Sequence, residues 1–156
     1  MRLKIIWIGK TRNARLQSLT EDYLARTRRM VSCEIAEARD PARSKKTRGE
    51  ELRRAEAKHL LKLAEGSNRM VVLDEKGKQF SSPEFARWFE SEQNQGTREI
   101  AFVIGGPEGV STTVAERACL ILSLGRMTWT HEICRVLLLE QIYRAFGILR
   151  NIPYHK

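Results

Sequence analysis

Disulfide chemistry has little to work with in this sequence. Its three cysteines, Cys33, Cys119 and Cys134, lie far apart. An odd, scattered set makes neither a disulfide framework nor the paired spacing of a zinc site. They read as reduced core thiols of a cytoplasmic protein. Long apolar runs are missing too. No stretch approaches the roughly 18 apolar residues that a membrane helix needs, so no membrane partner is expected. The opening MRLKIIWIGK has too short an apolar part for a secretion signal and lacks a small-residue cleavage site; it reads as a first strand. Histidine is scarce, at His59, His131 and His155. No two of these are spaced as metal ligands, and no metal is expected. Neither GxGxxG nor GxxxxGK[ST] occurs, so a standard dinucleotide fold and a P-loop are unsupported. No Gly-x-Ser-x-Gly elbow or Cys–His dyad supports hydrolase chemistry.

Acid is short relative to base. Against 28 Lys and Arg stand 19 Asp and Glu, a net charge of +9. That excess favours a polyanionic partner, nucleic acid before an anionic membrane. At 156 residues the chain is expected to be one domain with a real core.

What is present alternates between strand and helix patterns. Leu3 to Ile8 is a β-branched run ending at Gly9, and Leu16, Leu19, Tyr23 and Leu24 give one helix stripe through about Arg29. Val31 to Ala38 reads as a second strand. Arg39 to Arg54 is a polar, basic stretch with a loop over Ser44 to Gly49. This loop could touch a phosphate backbone or be a solvated surface. A helix follows over Gly49 to Glu65, with Leu52, Ala55, His59 or Leu60, and Leu63 on its inner side. Met70 to Leu73 is a third strand, and Asp74 to Lys78 a turn at its carboxyl end. Ser82 is the expected N-cap of a helix whose Phe85, Trp88 and Phe89 face the core. Ile100 to Ile104 is a continuous apolar run, as in a central parallel strand. Ser111 caps a short helix, and Cys119 to Leu124 is the last strand. The alternation predicts an α/β domain, a mostly parallel sheet with helices on both faces.

The last thirty-five residues, Leu122 to Lys156, organise the rest. A loop over Gly125 to Thr130 leads into a helix predicted over His131 to Leu149, apolar nearly all round and therefore buried. Yet it carries Arg135, Glu140 and Arg144. Buried charge needs partners, and Glu140 with Arg144 is an i,i+4 pair. Charge in such a helix, beside a loop and a tail with Tyr154 and His155, suggests a site; the plainer alternative is a helix docked by its apolar residues. Ligands of open α/β sheets bind at the carboxyl ends of strands. Three loops lie there: Leu73 to Gly77, Gly105 to Val110, and Gly125 to Thr130.

The blocks AFVIGGPEGV and LSLGRMTWTHEICRVLLLEQIYRAFGILRNIPYHK, with the strand-Gly start and VVLDEKGKQFSSPEFA, carry a resemblance over essentially all 156 residues. The chain resembles the bacterial large-subunit rRNA pseudouridine N3-methyltransferases, small members of the SPOUT superfamily. The resemblance implies a single SPOUT domain with a C-terminal trefoil knot (the α/β-knot), working as a homodimer. It implies S-adenosylmethionine in the knot and methylation of N3 of a pseudouridine in 23S rRNA during ribosome maturation. Matched by position, Leu73, Gly105, Gly106, Leu124, Gly125, Arg126, Met127, Thr128 and Trp129 are the expected cofactor residues. His131, Arg135, Tyr154 and His155 are the catalytic candidates, with the roles of base and anion stabiliser left open among them. Glu140 and Arg144 are expected to hold the helix and dimer together. Thr130 departs from the family, which commonly has proline there. From the residues alone, a non-catalytic basic RNA-binding domain, or the same chemistry on tRNA or another rRNA position, stays open.

Overall fold

The computed structural model describes residues 1–41 and 48–153. Its centre is a five-stranded, all-parallel sheet in the order β2-β1-β4-β3-β5. The strands are β1 (Arg2–Ile8), β2 (Ser32–Ala38), β3 (Arg69–Gln79), β4 (Glu99–Ile104) and β5 (Leu120–Ser123). The helices are α1 (Ala14–Arg28), α2 (Gly49–Ala64), α3 (Ser82–Asn94), α4 (Thr112–Glu116) and α5 (His131–Leu149).

Alternation along β1 sorts the two faces. Leu3, Ile5 and Trp7 pack in one core with Leu24 of α1, Phe85 and Phe89 of α3, and Leu138, Leu139 and Ile142 of α5. Ile6 and Ile8 point the other way, into a second core with Ala57 and Leu60 of α2 and Val114 of α4. Both faces are therefore covered, as a parallel sheet requires. Phe89 sits at the middle of the larger core, its ring centroid 4.8 Å from Phe85 and 5.0 Å from Phe146.

Four expectations need correction. The buried side of α2 is Leu52, Glu56, Ala57 and Leu60: Leu52 and Leu60 are as expected, a glutamate and Ala57 are buried where Ala55 was expected, and His59 and Leu63 are only half-buried. Residues 74–78 are not a separate turn: β3 continues through them with a register break, Leu73 and Lys78 both pairing with Leu122. Gly77 makes this possible, because a Cβ there would stand 2.6 Å from the Ile121 carbonyl oxygen. The N-cap of α3 is Ser81, not Ser82: Ser81 and Glu84 form a reciprocal capping box, while Ser82 Oγ donates to Gln141 at 2.8 Å. Of the cysteines only Cys33 is a true core thiol, its pKa pushed up to about 12 by burial; Cys119 is exposed and Cys134 half-buried. Among the described residues, no helix is long and apolar enough to cross a membrane.

Candidate active site

β4, β3 and β5 lie side by side and run the same way, so their carboxyl ends open at one edge. The two loops expected after β4 and β5 meet there with residues 73–76, a register break of β3 where a third loop was expected, around a cleft of about 790 Å³. Its walls are Leu73 to Lys76 at the register break within β3, Gly105 to Gly109 after β4, and Leu124, Gly125 and Met127 to Thr130 after β5. His131 and Cys134, one turn apart at the start of α5, complete the lining.

Each wall is held by its own bonds. The Gly105–Gly109 loop closes where the Gly109 N–H donates to the Gly106 carbonyl at 3.0 Å. Gly105 has no room for a side chain: a Cβ would stand 2.7 Å from the Gly109 backbone and 2.8 Å from Val110 Cγ1. After β5, Ser123 Oγ donates to the Gly125 carbonyl at 2.8 Å. Gly125 takes φ +142°, which L side chains rarely adopt. Thr128 Oγ1 donates to Glu75 at 2.6 Å and ties the loop after β5 to the register break of β3. Met127 and Trp129 stay exposed, at 72% and 42%. Asp74, Glu75 and Glu108 give the cleft an acidic lining.

Of the expected cofactor residues, Leu73, Gly105, Gly106, Leu124, Gly125, Met127, Thr128 and Trp129 line this cleft; Arg126 is exposed and does not. Of the catalytic candidates, His131 lines it. Burial, and then the charge of Arg135, push the imidazole pKa below its ordinary 6.5, against the pull of Glu132 and Asp40.

Arg135 lies beneath, fully buried, and is not part of the lining. Its guanidinium donates to the Ile8 carbonyl and to Thr11 Oγ1, both at 2.7 Å, and stacks over the Trp7 ring at 4.7 Å. Next to it, Glu132 accepts the N–H groups of Arg12 at 2.8 Å and Asn13 at 3.2 Å. Together Arg135 and Glu132 fasten the start of α5 to the carboxyl end of β1 and the segment after it. Further along, Arg144 Nε donates to Glu140 at 2.9 Å, the expected pair. Tyr154 and His155 lie outside the described residues, as do Arg43, Lys45 and Lys46 of the basic stretch.

Cys134 and the buried Glu56, which touches Gly106 from below, were missed as parts of the site. A signal for Cys134 existed: it stands three residues after His131 and so shares its helix face.

The match to known proteins runs over the same residues. Residues 1–155 match the family described as predicted SPOUT methyltransferase. The chain belongs to the SPOUT methyltransferase family. Relatives of nearly the same length include a Geotalea daltonii protein named ribosomal RNA large subunit methyltransferase H. It is 44% identical over 155 residues, covering 99% of both chains. A Geobacter sulfurreducens protein of the same name is 42% identical over the same span, again covering 99% of both. Solved structures share the fold at low identity. A "probable methyltransferase" of Bordetella pertussis superposes with a TM-score of 0.59 at 12% identity, over 93% of this chain and 96% of that one. A Legionella pneumophila protein in complex with bound SAM gives 0.50 at 11% identity, over 91% of this chain and 65% of that one.

Proposed function

We propose that this chain is the S-adenosylmethionine-dependent methyltransferase of a pseudouridine N3 in 23S rRNA, acting as a homodimer with a C-terminal trefoil knot. The observation that carries the reading is the convergence of the β3 register break and the loops after β4 and β5 on one cleft with His131 in its wall. The names of the full-length relatives supply the substrate class.

The residues present fit the cofactor. S-adenosylmethionine carries no phosphate, and among the described residues the cleft is lined by one lysine, Lys76, and no arginine. Its volume of about 790 Å³ lies within the range of small-molecule sites. Backbone N–H and C=O groups of the Gly105–Gly109 and Leu124–Trp129 loops can read an adenine edge, and the glycines let them approach. The carboxylates of Asp74, Glu75 and Glu108 favour a cationic ligand. Bound there, S-adenosylmethionine supplies an electrophilic methyl group.

The protein's own residues then handle the nucleobase. N3 carries a proton that must leave as the nitrogen becomes nucleophilic. His131, with its lowered pKa, is a neutral imidazole near pH 7 and can accept it. Arg135 holds α5 against β1 and so sets where His131 stands, which makes it a positioning residue. By the resemblance, Tyr154 and His155 remain catalytic candidates whose roles are open. Exposed Arg12, at 80%, and Arg54, at 73%, are available to RNA phosphates.

Calorimetric titration with S-adenosylmethionine tests the site. Overpacking costs about 1–3 kcal/mol, so Gly105→Val should weaken binding roughly ten- to a hundredfold. A folded Gly105→Val chain that binds as tightly as wild type would remove this loop from the cofactor site.

A further inference from the structure

The sheet-facing side of α2 carries a carboxyl group. Glu56 stands one turn from Leu52 and one from Leu60 and is 2% exposed. Packing does not ask for an acid there, because Leu52, Ala57 and Leu60 fill the same side. Its Oε2 has no hydrogen-bond partner among the described residues. The carboxylate lies against Gly106, whose backbone amide acts to lower its pKa. The approach is close: a Cβ on Gly106 would lie 2.5 Å from Oε1 and 3.0 Å from Cδ. Only glycine leaves room for this carboxyl. Gly106 is also a wall of the cleft, and its carbonyl closes the loop with the Gly109 N–H. One residue thus meets Glu56 below and shapes the cleft above.

We propose that Glu56 is a positioning residue for the cofactor, fixing the Gly105–Gly109 loop in its binding shape through the Gly106 N–H. The proposal rests on reading the cleft as the S-adenosylmethionine site.

Proton state follows from the surroundings. Burial raises the Glu56 pKa, the Gly106 amide opposes the rise, and Asp40 and Glu108 add to it, leaving it at about 7. Asp40, just past β2, pairs with Arg12 at 3.9 Å, and Arg53 of α2 donates to the Glu108 carbonyl at 3.4 Å. Losing the proton strengthens the pull on the Gly106 amide, since an ionised acceptor bonds roughly twice as strongly as a neutral one. The loop is therefore held more firmly above pH 7 than below it.

The full chain provides the test, with two readouts. In wild type the Gly106 amide resonance should titrate with a midpoint near pH 7, and S-adenosylmethionine should bind several-fold tighter above that midpoint than below it. Glu56→Gln keeps an oxygen for the N–H; its Gly106 resonance should stay flat and its affinity lose the step. Glu56→Ala should bind roughly tenfold or more weakly above the midpoint, the loss of a hydrogen bond to a charged group. A wild-type Gly106 resonance that does not move overturns the proposal. So does a wild-type pH step in Glu56→Gln, or wild-type affinity in a folded Glu56→Ala. If Gly106 titrates but wild type binds no S-adenosylmethionine, the cofactor reading falls and takes this proposal with it. The wild-type control separates that failure from failure of the brace alone.

Discussion

Between the unfolded value of 4.5 and about 7, folded Glu56 keeps a proton that the unfolded chain releases. Stability therefore falls as pH rises across that window, and above it the full cost, on the order of 3 kcal/mol, stands. Glu56→Gln removes an ionising group. It should fold about 2 kcal/mol more stably than wild type near pH 8, with the gap closing towards pH 5. Urea denaturation of both chains at the two pH values measures this; equal stability at the higher pH would mean that the carboxylate is solvated in solution. The sequence shows why Glu56 was hard to find. Leu52, Glu56 and Leu60 have helical spacing, but a glutamate within GEELRRAEAK looks like one more solvated charge. Arg135 was half legible: its burial followed from an apolar helix, whereas its partners Ile8 and Thr11 lie more than a hundred residues back, at separations of 127 and 124. Periodicity along one element carries no information about a contact of that kind.

Elements were easiest to read where local chemistry decides them. α5 spans His131–Leu149 as the sequence predicts, because a polar loop precedes it and apolar residues run to its end. β3 was cut short because Asp-Glu-Lys-Gly-Lys looks like a turn; what extends the strand is the close approach of β5 over Gly77, a tertiary contact. Thr130 resolves in a similar way. Its φ of −65° is the value a proline ring imposes, so the backbone that proline favours is kept. The threonine adds a cap, its Oγ1 accepting the Ile133 N–H at 3.4 Å. Thr130→Ala should therefore cost about 0.5–1 kcal/mol, as for other helix caps, measurable as a lower urea midpoint. Thr130→Pro should keep cofactor affinity near wild type. A large loss of affinity in Thr130→Pro would show that this loop differs from its relatives in shape as well as in sequence.

At the scale of the whole molecule, a mostly parallel sheet with helices on both faces is legible in the alternation of strand and helix patterns, and the fold makes every strand pair parallel. The knot was not, because threading leaves no trace in hydrophobic spacing and knots are exceptions to the usual connection rules; it enters through the family. The homodimer is part of the proposal, and α5 supplies its physical support. Ile133, Val136, Leu137 and Tyr143 of α5 remain half-buried in the single chain, and Met127 and Trp129 of the preceding loop are exposed. A second copy would cover such a surface with two-fold symmetry. Light scattering at micromolar concentration should give about twice the 18.0 kDa chain mass; an active species of single-chain mass would contradict the dimer. Membership of a methyltransferase family and a cleft at the carboxyl ends of β4 and β5 beside the β3 register break lead to one decisive measurement. Large ribosomal subunits from a strain lacking this gene are incubated with the purified chain and methyl-labelled S-adenosylmethionine, and the 23S rRNA is digested and mapped by mass spectrometry. The account predicts label on N3 of a single pseudouridine, and much less of it with Gly105→Val at sub-saturating S-adenosylmethionine; a folded, cofactor-binding chain that leaves the 23S rRNA of subunits and whole ribosomes unlabelled would contradict it.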